Sequence, residues 1–207
     1  MALARLKHDP PPILKGFSAI HRYFDGREQQ WVAQVLPGEF YVTKNDEIIT
    51  TVLGSCVATC IHDPIKRFGG LNHFMLPHDL SGGNEAEALR YGCFAVERLI
   101  NELVKYGARR ETMVVKVFGG GRVIAGMGDV GKSNIDFVRS YLTEEGFSIA
   151  AEDVGGRWAR RLRYHPTSGK VLVKHLETHE APDLADERQV FEEVVRSVRP
   201  GEIELFG

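Results

Sequence analysis

Along the chain, short apolar or alternating stretches are broken by turn residues, and only three segments carry a helical period. Trp31 to Leu36 reads as a strand stopped by Pro37-Gly38. Phe40 to Thr43 and Ile48 to Leu53 read as two more, separated by the turn-prone Lys44-Asn45-Asp46. Val57 to His62 is β-branched and apolar, the pattern of a buried strand. Asp63-Pro64 begins a reversal, and Gly70 to Leu76 returns as an antiparallel partner. With a two-residue turn centred on Pro64-Ile65, Cys56 lies across from His73 on one sheet face, and a slip of one residue would put them on opposite faces.

Beyond the loop Ser81 to Asn84, with Asn84 as cap, the spacing predicts a helix from Glu85 to about Tyr106. Its stripe is Leu89, Cys93, Val96, Ile100 and Leu103. Met113 to Phe118 is a strand that enters Gly119-Gly120-Gly121. A second helix is predicted from Lys132 to Glu145 with Ile135, Val138 and Leu142 inward. Phe147 to Val154 is a strand, and Arg160 to Tyr164 pairs with Val171 to His175 around Pro166-Thr167-Ser168-Gly169. A third helix is placed at Ala185 to Arg196. Helices that come singly between groups of strands predict an α+β layered sandwich in one domain rather than a doubly wound sheet. The organisation expected is a loosely ordered extension over 1–30, with Pro10-Pro11-Pro12 unable to continue a helix or a central strand, a domain over 31–176, and an acidic tail over 177–207.

Composition narrows the function. A net charge of −2 gives no global basic field for nucleic acid or an acidic membrane surface. No apolar run reaches the roughly 18 residues of a membrane span, and the first ten residues lack a secretory core, so cytoplasm is the expected setting. The three cysteines, Cys56, Cys60 and Cys93, are an odd number in such a chain and argue against a disulfide framework.

The candidate chemistry sits in Thr50-Thr51-Val52-Leu53-Gly54-Ser55-Cys56 and Gly69-Gly70-Leu71-Asn72-His73. A thiol attacks as thiolate, and a histidine on the adjacent strand can take its proton and return one to a leaving amine. Gly54 lets the backbone approach a reacting carbonyl, so the amides of Ser55 and Cys56 are candidates for an oxyanion hole. Thr50 or Thr51 can hold the imidazole through a hydroxyl. Asn72, Arg160 and Arg161 are candidate substrate contacts, within reach of the histidine strand or in the basic run Arg157 to Arg163. That run is either a solvated strand edge or a patch that steers the protein onto acidic helices.

Leu53-Gly54-Ser55-Cys56-Val57, Asp63-Pro64 and Gly70 to Pro77 resemble the chemoreceptor glutamine deamidase family, CheD. The likeness continues through Lys116 to Gly120, Val130 to Ile135, Ala151 to Gly156 and Lys170 to Val173, in order. It departs at Ser133, where many relatives carry arginine, and at Val123-Ile124-Ala125. The resemblance implies Cys56 as nucleophile, His73 as base and Thr50 as the hydroxyl partner. It also implies an α/β/β sandwich related to bacterial toxin deamidases, and hydrolysis of glutamine side chains on methyl-accepting chemotaxis receptors through a thioester. No cofactor and no metal are expected, and the resemblance adds a CheC-type chemotaxis phosphatase as a possible partner.

Two competing readings use other residues. Gly126 to Ser133 fits G-x-x-x-x-G-K-[ST], a nucleotide-binding loop, but Val123 to Ala125 is short for the strand that should precede it. Cys56, Cys60, His62 and His73 can be drawn as a zinc site, although their spacing is unlike the usual structural zinc sites. In the plainer reading Cys60 and Cys93 are core residues, and His62 and His78 are solvated beside turns. A non-catalytic adaptor that binds receptors or a phosphatase through the same fold is the third function class.

Overall fold

The computed structural model describes residues 9–76, 85–123 and 130–177, the side chains of 85–91 excepted. In chain order it holds β1 (His21–Asp25), β2 (Gln30–Gln34), β3 (Phe40–Thr43), β4 (Ile48–Leu53), β5 (Val57–Asp63), β6 (Phe68–Phe74), α1 (Glu85–Lys105), β7 (Val114–Gly119), α2 (Val130–Glu144), β8 (Ile149–Val154), β9 (Ala159–His165) and β10 (Lys170–Leu176). One five-stranded sheet has the order β1-β2-β4-β9-β10, the other β3-β6-β5-β7-β8. This is the expected single α+β domain.

β5 and β6 are buried at every position, so their sheet is covered on both faces. On β6, a Cβ added at Gly69 would meet the Tyr164 hydroxyl of β9, whereas one at Gly70 would meet Leu99 of α1. Odd-numbered residues of β6 therefore face the other sheet and even-numbered ones face the helices. Phe74 accordingly packs against Phe137 of α2, with ring centroids 5.9 Å apart. The layers run helices, central sheet, outer sheet. Both helices bury the stripes the sequence predicts: Val96, Ile100 and Leu103 on α1, and Ile135, Val138 and Leu142 on α2. The Leu89 side chain is among those excepted, and the Ser81 to Asn84 loop with its cap and the expected C-terminal helix lie outside the described residues.

The β5–β6 hairpin is wider than expected. Asp63 pairs with Phe68, so Pro64-Ile65-Lys66-Arg67 form the turn, and Ala58 rather than Cys56 stands directly opposite His73. A two-residue hairpin turn calls for positive φ at one or both of its residues. Proline is fixed near −65°, so Pro64 rules out the commonest turn for that loop length. The left-handed residue is Arg67 instead, at φ 55°, with its N–H donating to Asp63 O at 2.7 Å. The register moves by two residues, so the parity relating the two strands is unchanged.

Asp63 holds this turn. Its Oδ1 accepts from Ile65 N and Lys66 N, and its Oδ2 from Arg109 N and the Thr112 hydroxyl. Burial alone would raise its pKa, but those donors outweigh it and hold the carboxyl below its ordinary value. A depressed folded-state pKa means that the stability Asp63 contributes is fully present above the unfolded value of about 4, and is lost as pH falls through the folded value. Asp63→Asn is expected to cost about 1.5–3 kcal/mol at neutral pH. The gap to wild type should narrow on acidification in urea unfolding; a gap independent of pH would remove the assignment.

The extension over 1–30 differs from expectation. Within its described part, β1 pairs with β2, and Phe17 packs edge-on against Phe40 and Tyr41 at 5.2 and 5.3 Å. Arg22 bonds Glu47 at 2.8 Å, and Glu47 also accepts from Tyr41, Thr43 and Asn45. A carboxylate buried to this degree costs several kcal/mol if unpaired, so Glu47 ties the segment down. The carbonyls of Pro11 and Pro12 take donors from Arg22 and Asn45, which gives the proline run its anchors.

Candidate active site

The chain passes from the outer sheet to the central one through Gly54-Ser55-Cys56, between the end of β4 and the start of β5. Cys56 and Ser55 are buried, at 0% and 2% exposure. All three carbonyls of this crossing are held: Gly54 O accepts from Gly121 N and Cys56 O from Gly120 N, both at 2.7 Å, while Ser55 O accepts from the Asn134 side chain at 2.8 Å. The glycine run after β7 is thereby explained. A Cβ at Gly119, where φ is 109°, would fall 2.2 Å from Cys56 O, so only glycine lets β7 come this close.

Past the last β5–β7 pair, Val57 with Gly119, one further bond joins Gly120 N to Cys56 O. Strand alternation carried one residue back from β5 would set Cys56 on the side of Ala58, the residue opposite His73. The imidazole belongs to the face between the two sheets.

His73 is buried, and its Nδ1 lies 2.8 Å from the hydroxyl oxygen of Thr51. The same hydroxyl donates to Val35 O at 2.7 Å. A hydroxyl has one proton, and a carbonyl oxygen can only accept. With that proton given to Val35, the Thr51 oxygen must accept from His73, so Nδ1 carries hydrogen and, in the neutral ring, Nε2 carries the lone pair. The second partner of Thr51 thus sets the tautomer in which Nε2 is the basic nitrogen.

The hydroxyl implied by resemblance was that of Thr50, but Thr50 donates to Leu162 O at 2.7 Å, within the outer sheet. Ile49, Thr51 and Leu53 are buried, so the inward parity of β4 belongs to Thr51. Thr51, the other hydroxyl open from the residue pattern, is the one that meets the imidazole.

The candidate substrate contacts are not gathered here. Asn72 faces α1: its Oδ1 accepts from Thr59 N and its Nδ2 donates to Ala95 O. Arg160 is 3% exposed and is spent on Asp153, Trp158 O and Gly155 O. Arg161 is half-buried, opposite Val52 on one side and Lys174 on the other. The basic run does not form an edge, because β9 lies between β4 and β10. Arg163 reaches toward Asp25 and Glu28, and Arg157 lies over Trp158.

The residues of the zinc reading have other occupations. His62 is buried, not solvated, with Nδ1 2.7 Å from Pro166 O. Burial pushes the Cys60 thiol far up, with Lys116 acting against it, so Cys60 stays protonated in the core. Cys93 is half-buried, and burial also raises its thiol. Among the described residues no cluster of three or more His, Cys, Asp and Glu side chains is arranged for a metal. Much of the nucleotide-loop motif, like His78, lies outside the described residues. Its Lys132 pairs with Asp136 one turn along α2, and Gly131 packs against Gly120.

Asn134 was not singled out from the sequence as a site residue, though a signal existed. It is an amide on the apolar stripe of α2, flanked at four-residue steps by Val130 and Val138.

A family described as CheD chemotactic sensory transduction matches residues 75–175, beginning just past His73. Longer likeness comes from whole proteins. A protein of Hahella chejuensis named "Probable chemoreceptor glutamine deamidase CheD" is 43% identical, with 100% of both chains covered. One of the same name from Halorhodospira halophila is 42% identical over 95% of this chain and 94% of its own. A Burkholderia thailandensis protein, "Probable chemoreceptor glutamine deamidase CheD 1", is 49% identical over 81% of this chain and 73% of its own.

Proposed function

The chain belongs to the CheD family, and from that premise we propose that it hydrolyses glutamine side chains of chemoreceptors to glutamate and ammonia, with Cys56 as nucleophile, His73 as its base and Thr51 as the orienting hydroxyl. The observation that carries this assignment of roles is the paired bonding of the Thr51 oxygen to Val35 O and His73 Nδ1. It supports an imidazole whose Nε2 is ready to accept a proton. A cytoplasmic setting fits a receptor substrate, and among the described residues no helix is long and apolar enough to cross a membrane.

In this reading Nε2 takes the Cys56 proton as sulfur attacks the amide carbon, and the carbonyl electrons move onto oxygen. The amides of Ser55 and Cys56 stabilise that oxyanion, at roughly 3 kcal/mol per donor. As the oxyanion collapses the carbon–nitrogen bond breaks, and the imidazolium gives its proton to the departing nitrogen, which leaves as ammonia. Water, with His73 again as base, then attacks the thioester. The carbon–sulfur bond breaks, a carboxylic acid is released and ionises, and the thiol is restored.

Incubating the full chain with a chemoreceptor cytoplasmic fragment should release ammonia and give the receptor the mass gain of an NH2-to-OH exchange at glutamine. A receptor that binds and keeps its mass would sink hydrolysis and favour the adaptor reading.

A further inference from the structure

Asn134 is fully buried on the inward stripe of α2, and both ends of its amide are used. Its Oδ1 accepts from Leu76 N and its Nδ2 donates to Ser55 O, each at 2.8 Å. One side chain thus joins the segment that leaves β6 after His73 to the crossing that carries Cys56. The Ser55–Cys56 peptide is trans, as every described peptide bond is, so the Cys56 N–H points opposite to the Ser55 carbonyl. That carbonyl is held by an amide that also takes the N–H of Leu76, the counterpart of Ser55 across the continued β5–β6 register. His73 belongs to the face between the sheets. With the neighbouring carbonyls of Gly54 and Cys56 held by Gly121 and Gly120, the peptide has little freedom to rotate.

We propose that Asn134 is a positioning residue for the oxyanion hole: by anchoring the Ser55 carbonyl, it fixes the orientation in which the Cys56 N–H meets the glutamine carbonyl. The inference rests on the cysteine-amidase reading of the site. If Asn134 served only to satisfy a buried carbonyl, its loss would weaken folding or thiol reactivity and have no selective effect on the step that forms an oxyanion.

The test uses the full chain with a receptor fragment as substrate and the variants Asn134→Ala and Asn134→Asp. Aspartate keeps the size and the acceptor for Leu76 N but not the donor to Ser55 O. In parallel, alkylation of Cys56 by iodoacetamide is followed across pH by mass spectrometry of the Cys56 peptide. Alkylation needs the thiolate and forms no oxyanion. The expected result is kcat lowered about 10- to 100-fold with KM changed less than about threefold, and the alkylation profile unmoved. Three results would overturn the inference: kcat within about threefold of wild type in a folded variant, alkylation slowed in proportion to kcat, or failure of both variants to fold. Cys56→Ala run alongside separates the two readings. Activity surviving in Cys56→Ala would defeat the amidase reading itself, whereas a dead Cys56→Ala beside fully active Asn134 variants would defeat this inference alone.

Discussion

Cys56→Ala is expected to abolish receptor deamidation, lowering kcat on the order of 10⁴-fold or more, because the proposed acyl intermediate forms on its sulfur. The fold should survive: alanine fits the site, and losing one buried sulfur costs about 1 kcal/mol. His73→Ala should approach the same loss, since the thiol then has no base and the leaving nitrogen no acid. Cys60→Ala and Cys93→Ala provide the contrast. Both thiols are raised by burial, and the structure gives both a packing role. Their variants should keep kcat within about threefold of wild type. Coupled ammonia release gives the rates, urea unfolding shows that each variant is folded, and acid-quenched wild type should carry the receptor acyl group on Cys56. Ammonia release at the wild-type rate from Cys56→Ala would exclude the thioester route.

The apolar pattern specified most of the fold because burial on both faces leaves little choice. A run such as Val57 to Ile61 satisfies neither a solvated helix nor a half-exposed strand, and its place in the central sheet follows. Where two placements bury equal apolar area, the pattern was silent. In Ile48-Ile49-Thr50-Thr51-Val52-Leu53 each face of the strand receives one isoleucine, one threonine and one further aliphatic residue. The choice of Thr51 over Thr50 therefore needed the neighbouring sheet. The turn at Pro64 was legible in principle, since a fixed φ excludes the tightest common hairpin, and the two-residue error left the faces intact. Polar side chains that act through long-range pairing were the hardest to read. Glu47 looks like a surface acid until Arg22 of the extension closes on it, and Arg160 looks like a basic-patch residue until Asp153 draws it inward. Both partners come from other strands: Arg22 is 25 residues from Glu47, and Asp153, only seven residues before Arg160, lies on β8 rather than β9.

Thr51→Val and Thr50→Val should separate by activity although the two residues are adjacent and both lose a hydroxyl. Valine at position 51 keeps the shape but removes the acceptor that fixes hydrogen on Nδ1 of His73. Once Nδ1 has no partner, the tautomer with hydrogen on Nε2 is no longer disfavoured, and in that tautomer the imidazole cannot accept the thiol proton. The cost should lie near 10²–10³-fold in kcat, between the loss of an outer ligand partner and a histidine locked in the wrong tautomer. Val35 O also loses its donor, so Thr51→Val should be less stable by about 1–2 kcal/mol. Thr50→Val gives up a bond to Leu162 O in the outer sheet and should show a stability change of similar size, with kcat within about threefold of wild type. Thr51→Ser, which keeps the hydroxyl, should restore most of the lost rate. The opposite outcome, with Thr50→Val inactive and Thr51→Val active, would require His73 to take its orientation from the outer face of β4. That would overturn the tautomer argument built on Val35 and Thr51.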